Sequence, residues 1–116
     1  MRMFILALLL SAAAGAASAQ TVGGSYNVQG TNPNGSAYGG TVQITPSGSS
    51  CRITWQTGSS SSSGICMLAN KAFAASYILQ GKQGLVVYEL QPNGSLKGWW
   101  TIAGQEGVGT ENLFPR

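Results

Sequence analysis

Few side chains in this sequence could do chemistry. Its 116 residues include no histidine and only three acidic residues, Glu89, Glu106 and Glu111. There is no aspartate. That composition removes Ser-His-Asp and Cys-His nucleophilic sites, imidazole metal sites and most general-base chemistry. Two carboxylates suffice for glycoside hydrolysis, so the glutamates come first. Glu89 alternates to the outer side of an apolar segment, and Glu106 stands in a glycine-flanked turn. Only Glu111 has a route inward, so no facing pair of carboxylates is expected. Ser95 and Lys97 share a strand face, as the members of a Ser-Lys dyad could, but a solvated strand face accounts for them. The expectation is a protein with no catalytic, metal-binding or cofactor-binding residues, and hence not an enzyme.

Cys51 and Cys66 are the only cysteines, and the start of the chain decides how to read them. Arg2, the apolar run 4–10, an alanine-rich stretch and Ala17-Ser18-Ala19 ahead of Gln20 have the layout of a secretory signal peptide over residues 1–19. The apolar part is far shorter than the roughly 20 residues of a spanning helix, and nothing later could span a membrane. Export to the periplasm or beyond would place residues 20–116, a single all-β domain, in an oxidising compartment. A Cys51–Cys66 disulfide is then the default, and a pair of free thiols the alternative. Closing a loop of this length stabilises by about 3 kcal/mol in the chain-entropy model. Such a staple matters in a domain that buries only about 60–65% of its unfolded surface. The basic residues Arg52, Lys71, Lys82, Lys97 and Arg116 are scattered, so no nucleic-acid footprint is expected.

The elements that must position these residues are strands. Apolar side chains alternate with period two, and helix signals are nearly absent. Inward rows are predicted at Tyr26 and Val28; Tyr38, Gly40, Val42 and Ile44; Cys51, Ile53 and Trp55; and Phe73, Ala75, Tyr77 and Leu79. They continue with Val86, Tyr88 and Leu90, then Leu96, Gly98, Trp100 and Ile102. A fourth strand is expected at about 62–69 and an eighth at about 107–113. The inward face of the eighth is ambiguous, because Leu113 favours the odd positions and these would also turn Glu111 inward. If Cys51 faces Cys66, then Ile53 faces Gly64, Trp55 faces Ser62, and a polar serine-rich tip turns near residues 57–60.

The pattern P-N-G-S-x-x-G occurs twice, at 33–39 and 92–98. Turn chemistry explains it: a type I turn with proline second and glycine left-handed, forming a bulge. On this reading the serine belongs to the outgoing strand. Eight short strands joined by short turns predict an antiparallel up-and-down barrel, with a two-sheet sandwich as the alternative. The many inward aromatics predict a filled interior. A cavity above about 300 Å³ would instead favour a ligand carrier.

Period two also splits Trp99 from Trp100. Trp100 goes to the core, and Trp99 faces out beside Lys97, with Ile78, Leu85 and Val87 on the same outer face and Val108 expected on the next strand. An exposed apolar stripe centred on a tryptophan is a candidate protein-binding face.

The stretches "YNVQGTNPNGSAYGGTVQI", "CRITWQTG…GICM", "GLVVYELQPNGSLKGWW" and "GQEGVGTENL" resemble small exported bacterial proteins commonly labelled fibronectin-binding. The likeness covers nearly all of the chain after residue 19. It implies an adhesive role on a host matrix protein. The first expectation is therefore an exported, non-enzymatic module that binds a protein partner or itself around Trp99. A carrier of a small apolar ligand in the barrel mouth and a periplasmic inhibitor of a hydrolase are the alternatives.

Overall fold

The computed structural model describes residues 21–116; the expected signal peptide lies outside them. Eight strands follow one another: β1 (Gly24–Thr31), β2 (Ala37–Ser47), β3 (Ser50–Thr57), β4 (Ser60–Ala69), β5 (Ala72–Leu79), β6 (Lys82–Leu90), β7 (Leu96–Ile102) and β8 (Gly109–Pro115). Each pairs antiparallel with the next, and β8 pairs with β1, so the sheet is a closed barrel and the sandwich alternative is set aside. At the seam Tyr26 meets Pro115 and Thr31 meets Thr110, and the two threonine hydroxyls lie 2.7 Å apart. Closure leaves no strand edge open to another chain. Among the described residues no helix is long and apolar enough to cross a membrane.

The alternation holds in every strand. Tyr26, Val28, Val42, Ile44, Ile53, Trp55, Phe73, Tyr88 and Leu96 are all buried. Their sequence neighbours on either side are exposed or half-buried, save the buried turn residue Ser95 beside Leu96. Two boundaries move. β4 begins at Ser60, because the serines continue the ladder opposite Thr57. β8 runs two residues later than expected, and its odd positions Gly109, Glu111 and Leu113 face inward. Cys51 pairs with Cys66 across β3 and β4 in the expected register, and the two form a disulfide with a Cα separation of 4.9 Å.

The repeated turn is built the same way at both sites. Gly35 N–H donates to Asn32 O at 2.8 Å, and Gly94 N–H donates to Gln91 O at 2.9 Å. Gly35 and Gly94 have φ of 91° and 88°, which only glycine adopts without strain. The serines do more than begin a strand. Ser36 donates its amide and hydroxyl to Asn34 Oδ1 at 2.9 and 2.8 Å, and Ser95 does the same to Asn93 at 3.0 and 2.7 Å. The motif is thus a turn closed by an Asn–Ser clasp. Its two copies lie at opposite ends of the barrel, one between β1 and β2 and the other between β6 and β7, so they cannot share one binding site.

One half of the interior is filled. Toward the end that carries the second turn, Ile44, Ile53, Phe73, Leu96 and Leu113 are almost completely buried, beside the disulfide. The other half is not filled, and this corrects the expectation of a packed barrel.

Candidate functional site in the barrel mouth

A cavity of about 450 Å³ opens at the end that carries the turns 32–36 and 58–59. Its walls are Tyr38 of β2, Trp55 of β3, Tyr77 of β5, Val86 of β6 and Trp100 of β7, and Glu111 of β8 lies deep within it. Ser60 and Ser62 line the mouth, so the serine run serves the site as well as the turn.

The reason for the open space lies in cross-strand pairing. Several inward aromatics sit directly opposite a glycine: Tyr38 opposite Gly30, Tyr77 opposite Gly84, Tyr88 opposite Gly98 and Trp100 opposite Gly109. Each ring sits against the strand wall over the glycine it faces, where a side chain would otherwise stand. A Cβ at Gly109 would stand 2.5 Å from Trp100 Nε1, and one at Gly84 would stand 2.6 Å from the Tyr77 hydroxyl. Rings laid on the wall leave the axis clear. Rings projecting inward would have filled it.

The same device builds the polar centre. Glu111 is flanked by Gly30 on β1 and Gly98 on β7. Tyr38 reaches across Gly30 from one side, and Tyr88 reaches across Gly98 from the other. Tyr38 donates its hydroxyl proton to Glu111 Oε1 at 2.7 Å. Tyr88 donates to Oε2. Trp55 completes the set from across the lumen, its Nε1–H donating to Oε2 at 2.7 Å. A carboxylate that is only 5% exposed is thereby held by three neutral donors. Taking a carboxylate out of water costs several kcal/mol unless its lone pairs are satisfied, which is what this cluster does.

The tyrosines carry the imprint of that charge. Burial first, and then the Glu111 charge, push the Tyr38 and Tyr88 hydroxyls well above the ordinary tyrosine value. Tyr77 is raised for the same two reasons. All three are therefore fixed as donors at neutral pH. Tyr77 spends its proton on the Thr101 carbonyl oxygen at 3.3 Å, and Trp100 Nε1–H donates to the Thr110 carbonyl oxygen at 3.2 Å. The rings also brace each other. Tyr38 and Trp100 meet edge to face with centroids 6.2 Å apart, and Trp55 and Tyr77 lie 5.1 Å apart.

Glu111 was the ambiguous residue of the sequence reading, and the parity of Leu113 was the signal that placed it. Glu89 and Glu106 are both exposed and do not join it. Ser95 is buried and bound into its turn rather than lying on a solvated face, while Lys97 is exposed on the outer surface. The candidate protein-binding residues do share the outside. Trp99 is 42% exposed and faces Val87 across β6 and β7. Leu85 and Ile78 are exposed on neighbouring rows. Val108 is exposed and continues the row, and Ile65 and Met67 enlarge the patch beyond the expected residues. A shallow outer groove of about 650 Å³ runs between Met67, Leu85, Val87 and Trp99. It stays on the β4–β7 side, with Ser50 at one edge and Val108 at the other. The outer rows of β1–β3 carry Asn27, Gln29, Gln43, Arg52 and Thr54, so no apolar band encircles the barrel, as a spanning barrel would require.

No protein-family model and no curated protein matches the chain. Solved structures do. The redesigned β barrel mFAP1 bound to DFHBI superposes with a TM-score of 0.69 at 15% identity, over 82% of this chain and 94% of that one. A fluorescence-activating β barrel designed de novo gives 0.65 at 12% identity, over 81% and 93%. A mutant of the fluorescent protein UnaG gives 0.51 at 12% identity, over 80% and 94%. At these identities the likeness is one of fold: a closed β barrel.

Proposed function

We propose that this chain is an exported, non-enzymatic binding protein that takes a small, largely apolar ligand into the barrel mouth. The cavity carries this reading. At about 450 Å³ it falls within the roughly 300–1,000 Å³ of small-molecule sites. Its aromatic walls offer apolar contact, and one buried polar cluster offers orientation. That a barrel of the same fold has been solved bound to DFHBI supports it by analogy of fold. The test is a titration of the chain with the neutral dye Nile red, followed by dye emission, beside a Ser62→Trp variant. Ser62 faces Trp55 at the mouth, so an indole there fills the opening. Saturable binding that is lost in Ser62→Trp supports the reading. Binding that survives the substitution overturns it.

A second reading rests on the outer face. Ile65, Met67, Leu85, Val87 and Trp99 form a patch more apolar than a lone monomer usually shows. It suits a protein contact, with a second copy or a host matrix protein such as fibronectin as the partner. Trp99→Ala should weaken self-association in sedimentation, or capture on immobilised fibronectin, while leaving Tm nearly unchanged. A large drop in Tm would place Trp99 in the core and end this reading.

A further inference from the structure

The polar centre of the cavity also specifies the ligand's chemistry, given that the mouth is a binding site. We propose that the preferred ligand is a planar aromatic molecule carrying a protonated nitrogen, which points its N–H groups at Glu111 while its ring lies among Trp55, Tyr77 and Trp100. A carboxylate offers about four lone-pair directions across its two oxygens. Tyr88 and Trp55 occupy two on Oε2, and Tyr38 occupies one on Oε1. Oε1 keeps a direction for one more donor, and Glu111 borders the cavity.

Charge sets the class. All three partners of Glu111 are neutral, so its negative charge is stabilised by dipoles and not cancelled by a cation. In a site of low dielectric, that charge repels an anion and attracts a cation strongly. The walls act in the same sense. Ring faces bear negative potential and attract a cation, each by an amount equal to about a twofold to thirtyfold change in affinity. Tyrosines whose protons are already given to Glu111 and Thr101 have none left to greet an anionic ligand. The carboxylate and the aromatic rings of the wall therefore favour one sign of charge, and the serines at the mouth are neutral.

The test uses three probes of one shape: 2-naphthylmethylammonium, 2-naphthylmethanol and 2-naphthoate. Affinity is read by quenching of tryptophan fluorescence at moderate salt. The expected order is ammonium, then alcohol, then carboxylate, with the ammonium tighter than the carboxylate by about tenfold or more. Glu111→Gln should collapse that difference. If that variant does not fold, Tyr38→Phe decides. It keeps the ring and removes one donor from Oε1, so the ammonium's advantage should grow. Equal affinities for the three probes, or a smaller advantage in Tyr38→Phe, would overturn the ligand class while leaving the mouth as a binding site. Failure of all three probes together with Nile red would instead overturn the binding site itself.

Discussion

Replacing Gly109 by alanine tests the idea that aromatic rings laid over glycines create the cavity. An added methyl would stand 2.5 Å from both Nε1 and Cζ2 of Trp100. Ordinary contact is about 3.5 Å or more, so the indole must move by about 1 Å. The strand backbone closes the outward direction, and the open cavity lies inward. The ring therefore shifts toward the axis and gives up its hydrogen bond to the Thr110 carbonyl oxygen. Overpacking costs about 1–3 kcal/mol, and the lost hydrogen bond about 0.5–1.5 kcal/mol. Space to relax into the cavity keeps the first contribution low, so the expected loss is about 1.5–3 kcal/mol. Urea unfolding followed by circular dichroism measures it, and Nile red binding should weaken in parallel. Gly39→Ala is the control, because a Cβ there meets only the Val28 carbonyl oxygen, at 3.4 Å. Its effect should stay within about 1 kcal/mol. If Gly109→Ala matches Gly39→Ala in stability and in dye binding, the account of the cavity is wrong.

Tyr88→Phe removes one donor from the buried Glu111 carboxylate and should cost about 1.5–3 kcal/mol in urea unfolding, the range for hydrogen bonds to charged groups; a change below about 0.5 kcal/mol would contradict the cluster. Alkaline pH should destabilise the fold. Tyr38, Tyr77 and Tyr88 titrate above the ordinary value of 10.0, so below about pH 10 both states hold these protons and the contribution is fully present. As pH rises further the unfolded chain ionises first and stability falls. Tyrosinate absorbance from these residues should then appear together with loss of the circular dichroism signal, and full ionisation in a still-folded barrel would refute the shifts. Reducing the Cys51–Cys66 bond, which spans a sequence separation of 15, should lower stability by about 3 kcal/mol, read as a lower urea midpoint with dithiothreitol present.

What the sequence determined by itself was local. Alternation sorted Trp99 outward and Trp100 inward, because successive side chains on a strand point to opposite faces. The Asn-Gly turns and the cysteine spacing set hairpin registers, because a short turn leaves the paired strands little choice of alignment. Those registers already placed Trp55 opposite Ser62 and Cys51 opposite Cys66. The site was different. Tyr38, Trp55, Tyr88 and Glu111 come from four strands, and β8 meets β1 only when the barrel closes. Only closure brings Gly30 and Gly98 to either side of Glu111, letting two tyrosines reach it over the gaps those glycines leave. Whether an inward ring lies along the wall or crosses the lumen depends on the size of the residue facing it and of the one beyond. That is a property of the assembled surface, and it turned an interior that composition alone would fill into a barrel with an open mouth.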